Sequence, residues 1–233
     1  MPDGLTPEDV RCTNISTVVT ALTTAALPRH RVRATRDSGR RTRSALLDAA
    51  AELFGEHGLA GVSLAGIAAR ADAFPSQVTY YFGSKEALFV EAASREVLHL
   101  ASRVEAAGSR ARSHAAYARA LTRVALGSPA MLAFAEAMLL ARHRPELSPL
   151  VTRTLDRLHA EGARAVRARC REMGWPLRGS GEDVARHFWA AVLGLVLERA
   201  ASGESFDARA AQAAILATLG IDHAPARTAS RRT

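Results

Sequence analysis

From Leu46 onward, apolar side chains return every three or four positions, and the stretches that carry them end on Gly, Ser or Pro. Leu46, Leu47, Ala50, Leu53 and Phe54 form the first stripe, with Gly55 and Gly58 behind it where C-terminal glycines fall, so the spacing predicts a helix over about 41–56. Ser63 stands as an N-cap before Leu64, Ile67, Ala68 and Ala71, a helix of two turns. Pro75 opens a third helix at a first-turn position, where its missing N–H costs nothing; Phe82 and Gly83 close it. Ser84 caps a long fourth helix carrying Leu88, Phe89, Ala92, Val97 and Leu100, running to about Gly108. Five more helical stretches follow, over 114–126, 129–142, 149–173, 182–201 and 207–219, with Gly174, Gly203 and Gly220 just past three of their ends. No alternating β-branched run is long enough for a strand, so the pattern predicts an all-α chain of about nine helices.

Ahead of this pattern, residues 1–39 mix Thr, Pro, Asp and Arg without sustained periodicity and read as a basic, mostly disordered extension. Residues after Ile221 read as a short tail over 222–233. Between them the expected division is a three-helix unit over 40–88 and a larger helical bundle over 89–221.

Composition narrows the class. Of 233 residues, 48% are hydrophobic and 23% charged, which is ordinary for a globular protein and excludes disorder as the whole answer. The longest apolar run, Phe188 to Leu197, is about half of what a bilayer crossing needs. Asp3, Glu8 and Asp9 stand where a secretory signal would be positive, so a cytoplasmic location is the expectation. Cys12 and Cys170 form no C-x-x-C pair, and neither a disulfide framework nor a thiolate metal site is expected. The net charge is +8, and seven arginines against Asp37 between Arg29 and Arg43 supply most of it. Such a cluster suits phosphates, nucleic acid first and anionic membrane second, or else serves as a solubilising tail.

The second and third helices carry the chemistry. Two short helices joined by about three residues make a helix-turn-helix, in which an α-helix enters the major groove with short hydrogen-bonding side chains outward. Val78 and Phe82, four apart, form the inward face and leave Ser76, Gln77, Thr79 and Tyr80 outward. Gln can bond adenine bidentately, Ser and Thr serve several bases, and a tyrosine hydroxyl reaches a phosphate.

Leu64 to Ala71, followed by the run Val78-Thr79-Tyr80-Tyr81-Phe82-Gly83-Ser84-Lys85-Glu86-Ala87-Leu88, resembles the N-terminal DNA-binding domain of TetR-family transcriptional regulators. The resemblance covers about 41–91 without a gap, and both helices, their spacing and the junction after them match together. It implies that Tyr80 and Lys85 hold the DNA backbone, that Ser63 also touches phosphate, and that Ser76, Gln77 and Thr79 face bases. Lys85 is the only lysine in the chain, beside a helix N-terminus that itself favours anions. With Arg40, Arg41 and Arg43 at the start of the first helix, and Pro75 and Tyr81 on the third, these residues form the expected DNA-binding set. Two departures stand out: Asp72 in the turn where the family usually has Gly, and Phe74 where it usually has Ser, which removes an N-cap.

In the bundle only the helical layout and the ending look similar to the family. The last two helices resemble its four-helix dimer interface, with Leu193, Val196 and Leu197 on one seam and Ile215, Leu216 and Leu219 on the other. Met131, Phe134, Met138, Phe188 and Trp189 are the expected lining of a ligand cavity, with Arg142 or Glu136 as its polar anchor. Eight histidines include no i, i+4 pair and no H-E-x-x-H, and neither a phosphate loop nor a G-x-S-x-G elbow occurs. No catalysis, cofactor or metal is expected. The resulting reading is a dimeric regulator that responds to a ligand, most often a repressor, on a pseudo-palindromic operator in double-stranded DNA, with a small-molecule effector and no membrane partner. Alternatives are an all-α ligand-binding protein using its basic arm on anionic membrane, and a small helical enzyme.

Overall fold

A computed structural model describes residues 29–177 and 179–219; for 29–36, 204, 217 and 218 it describes the backbone alone. The described elements are helices: α1 (Arg29–Gly61), α2 (Leu64–Arg70), α3 (Pro75–Phe82), α4 (Lys85–Gly108), α5 (His114–Leu126), α6 (Ala130–His143), α7 (Ser148–Met173), α8 (Gly181–Ser202) and α9 (Ala208–Thr218), with short 3-10 turns before α7 and after α8. The chain divides into two compact units, Met1–Arg41 and Thr42–Thr233. Among the described residues no single helix is long and apolar enough to cross a membrane.

Eight of the nine helices begin and end within about one residue of the expected bounds. The exception is α1, which starts at Arg29 rather than near 41, so residues 29–39 are helical where a disordered extension was expected. The stretch carries no apolar stripe, so periodicity gives no sign of it. Residues 1–28, with Cys12, and the tail 222–233 lie outside the described residues. At its other end α1 breaks at Gly58 (φ +66°, ψ 174°), a conformation open to glycine, and a last helical turn continues to Gly61.

In the larger unit, Leu46, Ala50 and Phe54 of α1 share a core with Ile67 and Ala68 of α2, Val78 and Phe82 of α3, and Leu88 and Phe89 of α4. The Phe54 and Phe89 rings meet edge to face at 5.2 Å. Burying a leucine or phenylalanine side chain in this way contributes about 1.5–3 kcal/mol. Helix α4 then runs on into the bundle, where it packs against α5, α6 and α7, while α8 packs against α7 and α9. A Cβ on Gly108 would sit 2.6 Å from the Tyr117 ring, so the end of α4 lies directly on α5. Burial of Tyr117 pushes its phenol up to about 12.

Candidate nucleic-acid interface

Each end of the short helices is closed by a specific contact. The Ser63 hydroxyl accepts from the Gly66 N–H at 3.0 Å, capping α2. Asp72 takes the left-handed conformation (φ +49°) that the turn requires and that the family gives to glycine. The missing cap at Phe74 is replaced from inside α3: the Gln77 N–H donates to the Phe74 carbonyl, and the Phe74 N–H donates to Gln77 Oε1, both at 2.9 Å. Half of a capping box is thus kept by a glutamine without a hydroxyl partner. Gly83 (φ +79°) ends α3, and Ser84 Oγ accepts from the Ala87 N–H at 3.1 Å to start α4. The Glu86 carboxyl in that first turn is held below its ordinary range, chiefly by its own backbone N–H.

The outward face of α3 follows the expected pattern. Val78 is 1% exposed and Phe82 is buried, while Pro75, Ser76 and Thr79 are exposed and Tyr80 is 82% exposed. Tyr81 is half-buried, edge-on to Tyr80 at 5.0 Å and packed on the core. Phe74 is 75% exposed beside this face, an apolar projection that the sequence reading treated only as a lost cap. Gln77 is half-buried, and its amide oxygen is held by the Phe74 N–H. The expected bidentate pairing with adenine would draw on the same oxygen that caps α3.

The four expected cations all have partners within the chain. Lys85 Nζ donates to the Leu59 carbonyl at 2.9 Å and the Val62 carbonyl at 3.0 Å, tying the end of α1 to the start of α4. Arg43 is half-buried, ion-paired with Glu91 and stacked over the Phe82 ring at 4.9 Å from its centroid. Both were expected at phosphates; in the free chain each also braces one helix against another. Neither partner was legible: Glu91 is far from Arg43 in sequence, and backbone carbonyls leave no mark in it. Arg70 likewise meets Glu52 at 2.5 Å, which raises the Arg70 pKa and pins α2 to α1. In the smaller unit, Arg40 is exposed and paired with Asp37, and Arg41 Nε donates to the Asp37 carbonyl at 3.4 Å.

In the bundle the expected ligand set divides by burial. Met131, Phe134, Phe188 and Trp189 are buried as packing, Met138 is half-buried, and Arg142 and Glu136 are exposed. Phe188 and Trp189 border a void of about 50 Å³. A far larger cavity, about 620 Å³, lies between α1, α4 and the turn joining α5 to α6, and none of the expected residues lines it. The dimer set divides too. Val196, Ile215 and Leu219 are buried within the single chain, because α9 folds back onto α8, whereas Leu193 and Leu216 keep part of their surface and Leu197 is 42% exposed. Among the described residues no group of three or more metal-ligating side chains converges.

A capped two-helix reader with a hydrogen-bonding outer face, joined by one long helix to a bundle, defines a DNA-binding regulator. Residues 46–92 match the family described as bacterial regulatory proteins of the tetR family, and residues 114–218 match the one described as bacterial transcriptional repressor C-terminal. The HTH-type transcriptional regulator BetI of Burkholderia mallei is 34% identical over 177 residues, covering 72% of this chain and 87% of that protein. BetI of Burkholderia thailandensis is 33% identical over 181 residues, with the same coverage. Among solved structures, a transcriptional regulator from Rhodococcus sp. RHA1 superposes with a TM-score of 0.71 at 42% identity, covering 78% of this chain and 97% of that one. The multidrug binding protein EbrR, complexed with proflavin, shares the fold at 24% identity and a TM-score of 0.53, over 76% of this chain and 99% of that one. The chain belongs to the TetR family of transcriptional regulators, ligand-responsive proteins that bind DNA.

Proposed function

We propose that the protein is a homodimeric repressor that holds a pseudo-palindromic operator until a small molecule releases it. The DNA-binding unit is taken as 40–88, the ligand-binding and dimerisation bundle as 89–221, with 1–39 as a basic arm and 222–233 as a tail. The exposed face of α3, on which Ser76, Thr79 and Tyr80 project while Val78 and Phe82 are buried, carries this reading. On it Ser76 and Thr79 meet base edges, Tyr80 and Ser63 meet phosphates, and Arg40 and Arg41 add backbone contacts of their own. Pro75 and Tyr81 shape α3, and Gln77 acts through the end of that helix. Work is done in the cytoplasm, by binding rather than by catalysis.

The dimer would form through the open side of α8, where Ala190, Gly194 and Leu197 are exposed at helical spacing beside Leu193. Small residues let two helices approach closely, and a two-fold contact repeats each leucine. Selection of bound fragments from random duplex DNA tests the reading. An inverted repeat with half-sites about one helical turn apart is expected; fragments without a shared sequence would overturn it.

A further inference from the structure

We propose that the effector site of this chain is the crevice between α1, α4 and the α5–α6 turn, and that it takes an organic anion with an apolar body. This rests on the reading of the protein as a ligand-responsive regulator and adds where the ligand sits and what chemistry it has. The crevice encloses about 620 Å³, inside the range of roughly 300–1,000 Å³ that small-molecule sites occupy. The void beside Phe188 and Trp189, at about 50 Å³, has room for a water or two. Phe54 and Phe89 supply aromatic wall, and Ala92, Ala93, Ala130 and Ala133 supply aliphatic wall.

Charge chooses the ligand. Arg95 meets Asp48 at 2.7 Å and Glu96 at 3.4 Å, and Glu52 is held by Arg70, so the acids lining the crevice already face cations. Arg103 and Arg123 line it as well. Arg103 donates to the Ser128 hydroxyl at 3.1 Å, and neither arginine meets a carboxylate among the described residues. Two guanidinium groups with donors to spare suit the planar, bidentate oxygens of a carboxylate or sulfonate, while the alanine and phenylalanine walls suit its apolar body. A cationic ligand would have to displace an existing arginine from its acid.

The position explains how occupancy reaches DNA. Phe54 and Glu52 lie on α1, whose stripe packs the reading helices and whose Glu52 pins Arg70 at the end of α2. Arg103 and Arg123 lie on α4 and α5, on the bundle side. An anion bridging the arginines with its body against α1 favours one setting of α1 on the bundle over another, and this difference in affinity is what moves operator binding.

Naphthoate is the probe, titrated calorimetrically into the full chain and added to anisotropy measurements on the selected operator. Arg103→Gln with Arg123→Gln, and separately Ala133→Phe, should each weaken naphthoate roughly tenfold or more, since a lost charge-assisted pair or a filled wall costs that much. Val166→Phe, which fills the small void instead, should leave it unchanged. Naphthoate should weaken operator binding by the parent and not by the crevice variants. Should the glutamine pair not fold, Arg103→Lys with Arg123→Lys keeps charge without the fork, and an intermediate loss is expected. No binding by the parent, equal affinity in the crevice variants, or loss only with Val166→Phe overturns the site. Crevice-dependent binding without any change at the operator overturns its link to DNA, whereas a parent that binds no DNA defeats the regulator reading and leaves the calorimetry standing.

Discussion

Lys85 has two candidate tasks that one measurement separates. Its motif neighbours mark it as a phosphate contact, yet its ammonium sits 2.9 and 3.0 Å from two carbonyls at the end of α1. Removing a charged donor from such carbonyls costs about 1.5–3 kcal/mol. Lys85→Ala should therefore lower the thermal midpoint of the free protein by a matching amount, before any DNA is added; an unchanged midpoint would return Lys85 to the DNA backbone. Gln77 and Thr79 divide in the same way. Thr79→Ala should cost roughly 1–3 kcal/mol on the preferred operator and relax one base position. Gln77→Ala should lower stability by about 1 kcal/mol through the lost cap and weaken preferred and random DNA alike. A competition assay with both DNAs separates the two, and equal behaviour of the variants would show that the face of α3 has been misread.

At the scale of elements, α3 was legible because its two faces differ in kind, and the middle of α8 was not because Phe188 to Leu197 is apolar on every side. Leu193, Val196 and Leu197 look alike in sequence; only the fold of α9 onto α8 buries Val196 and leaves Leu197 outside. Leu193→Glu with Leu197→Glu should give a folded monomer by light scattering that loses the operator, because two half-sites need a fixed separation. A variant that stays dimeric would move the interface to another face. The start of α1 illustrates the converse: its first turns carry no apolar stripe, and the search for periodicity passes over a helix that has nothing to bury.

For the whole molecule, charge is the property read most directly from composition. The arginines between Arg29 and Arg43 all lie on the helical backbone of α1, with Arg40 and Arg41 exposed and Arg43 half-buried. Each phosphate neutralised steepens the dependence of log K on log salt by about 0.9. Deleting residues 1–38 should flatten that slope and lower affinity at physiological salt while keeping the preferred sequence. An unchanged slope would make the arm a solubilising tail.

The sequence by itself determined the helices and the reader. Helical periodicity, caps at Ser63 and Ser84 and glycines at the ends are local signals, written within a turn or two of where they act. It also marked the outward residues of α3, because burial of Val78 and Phe82 fixes where Ser76, Thr79 and Tyr80 must point. Only the tertiary structure decided which apolar side chains fill the bundle, that Lys85 and Arg43 find partners within the chain, and that a cavity of about 620 Å³ opens against α1. Those depend on contacts between residues far apart in the chain, such as Arg43 with Glu91 or Phe54 with Phe89, where the partner is set by how helices pack and periodicity carries no record of it.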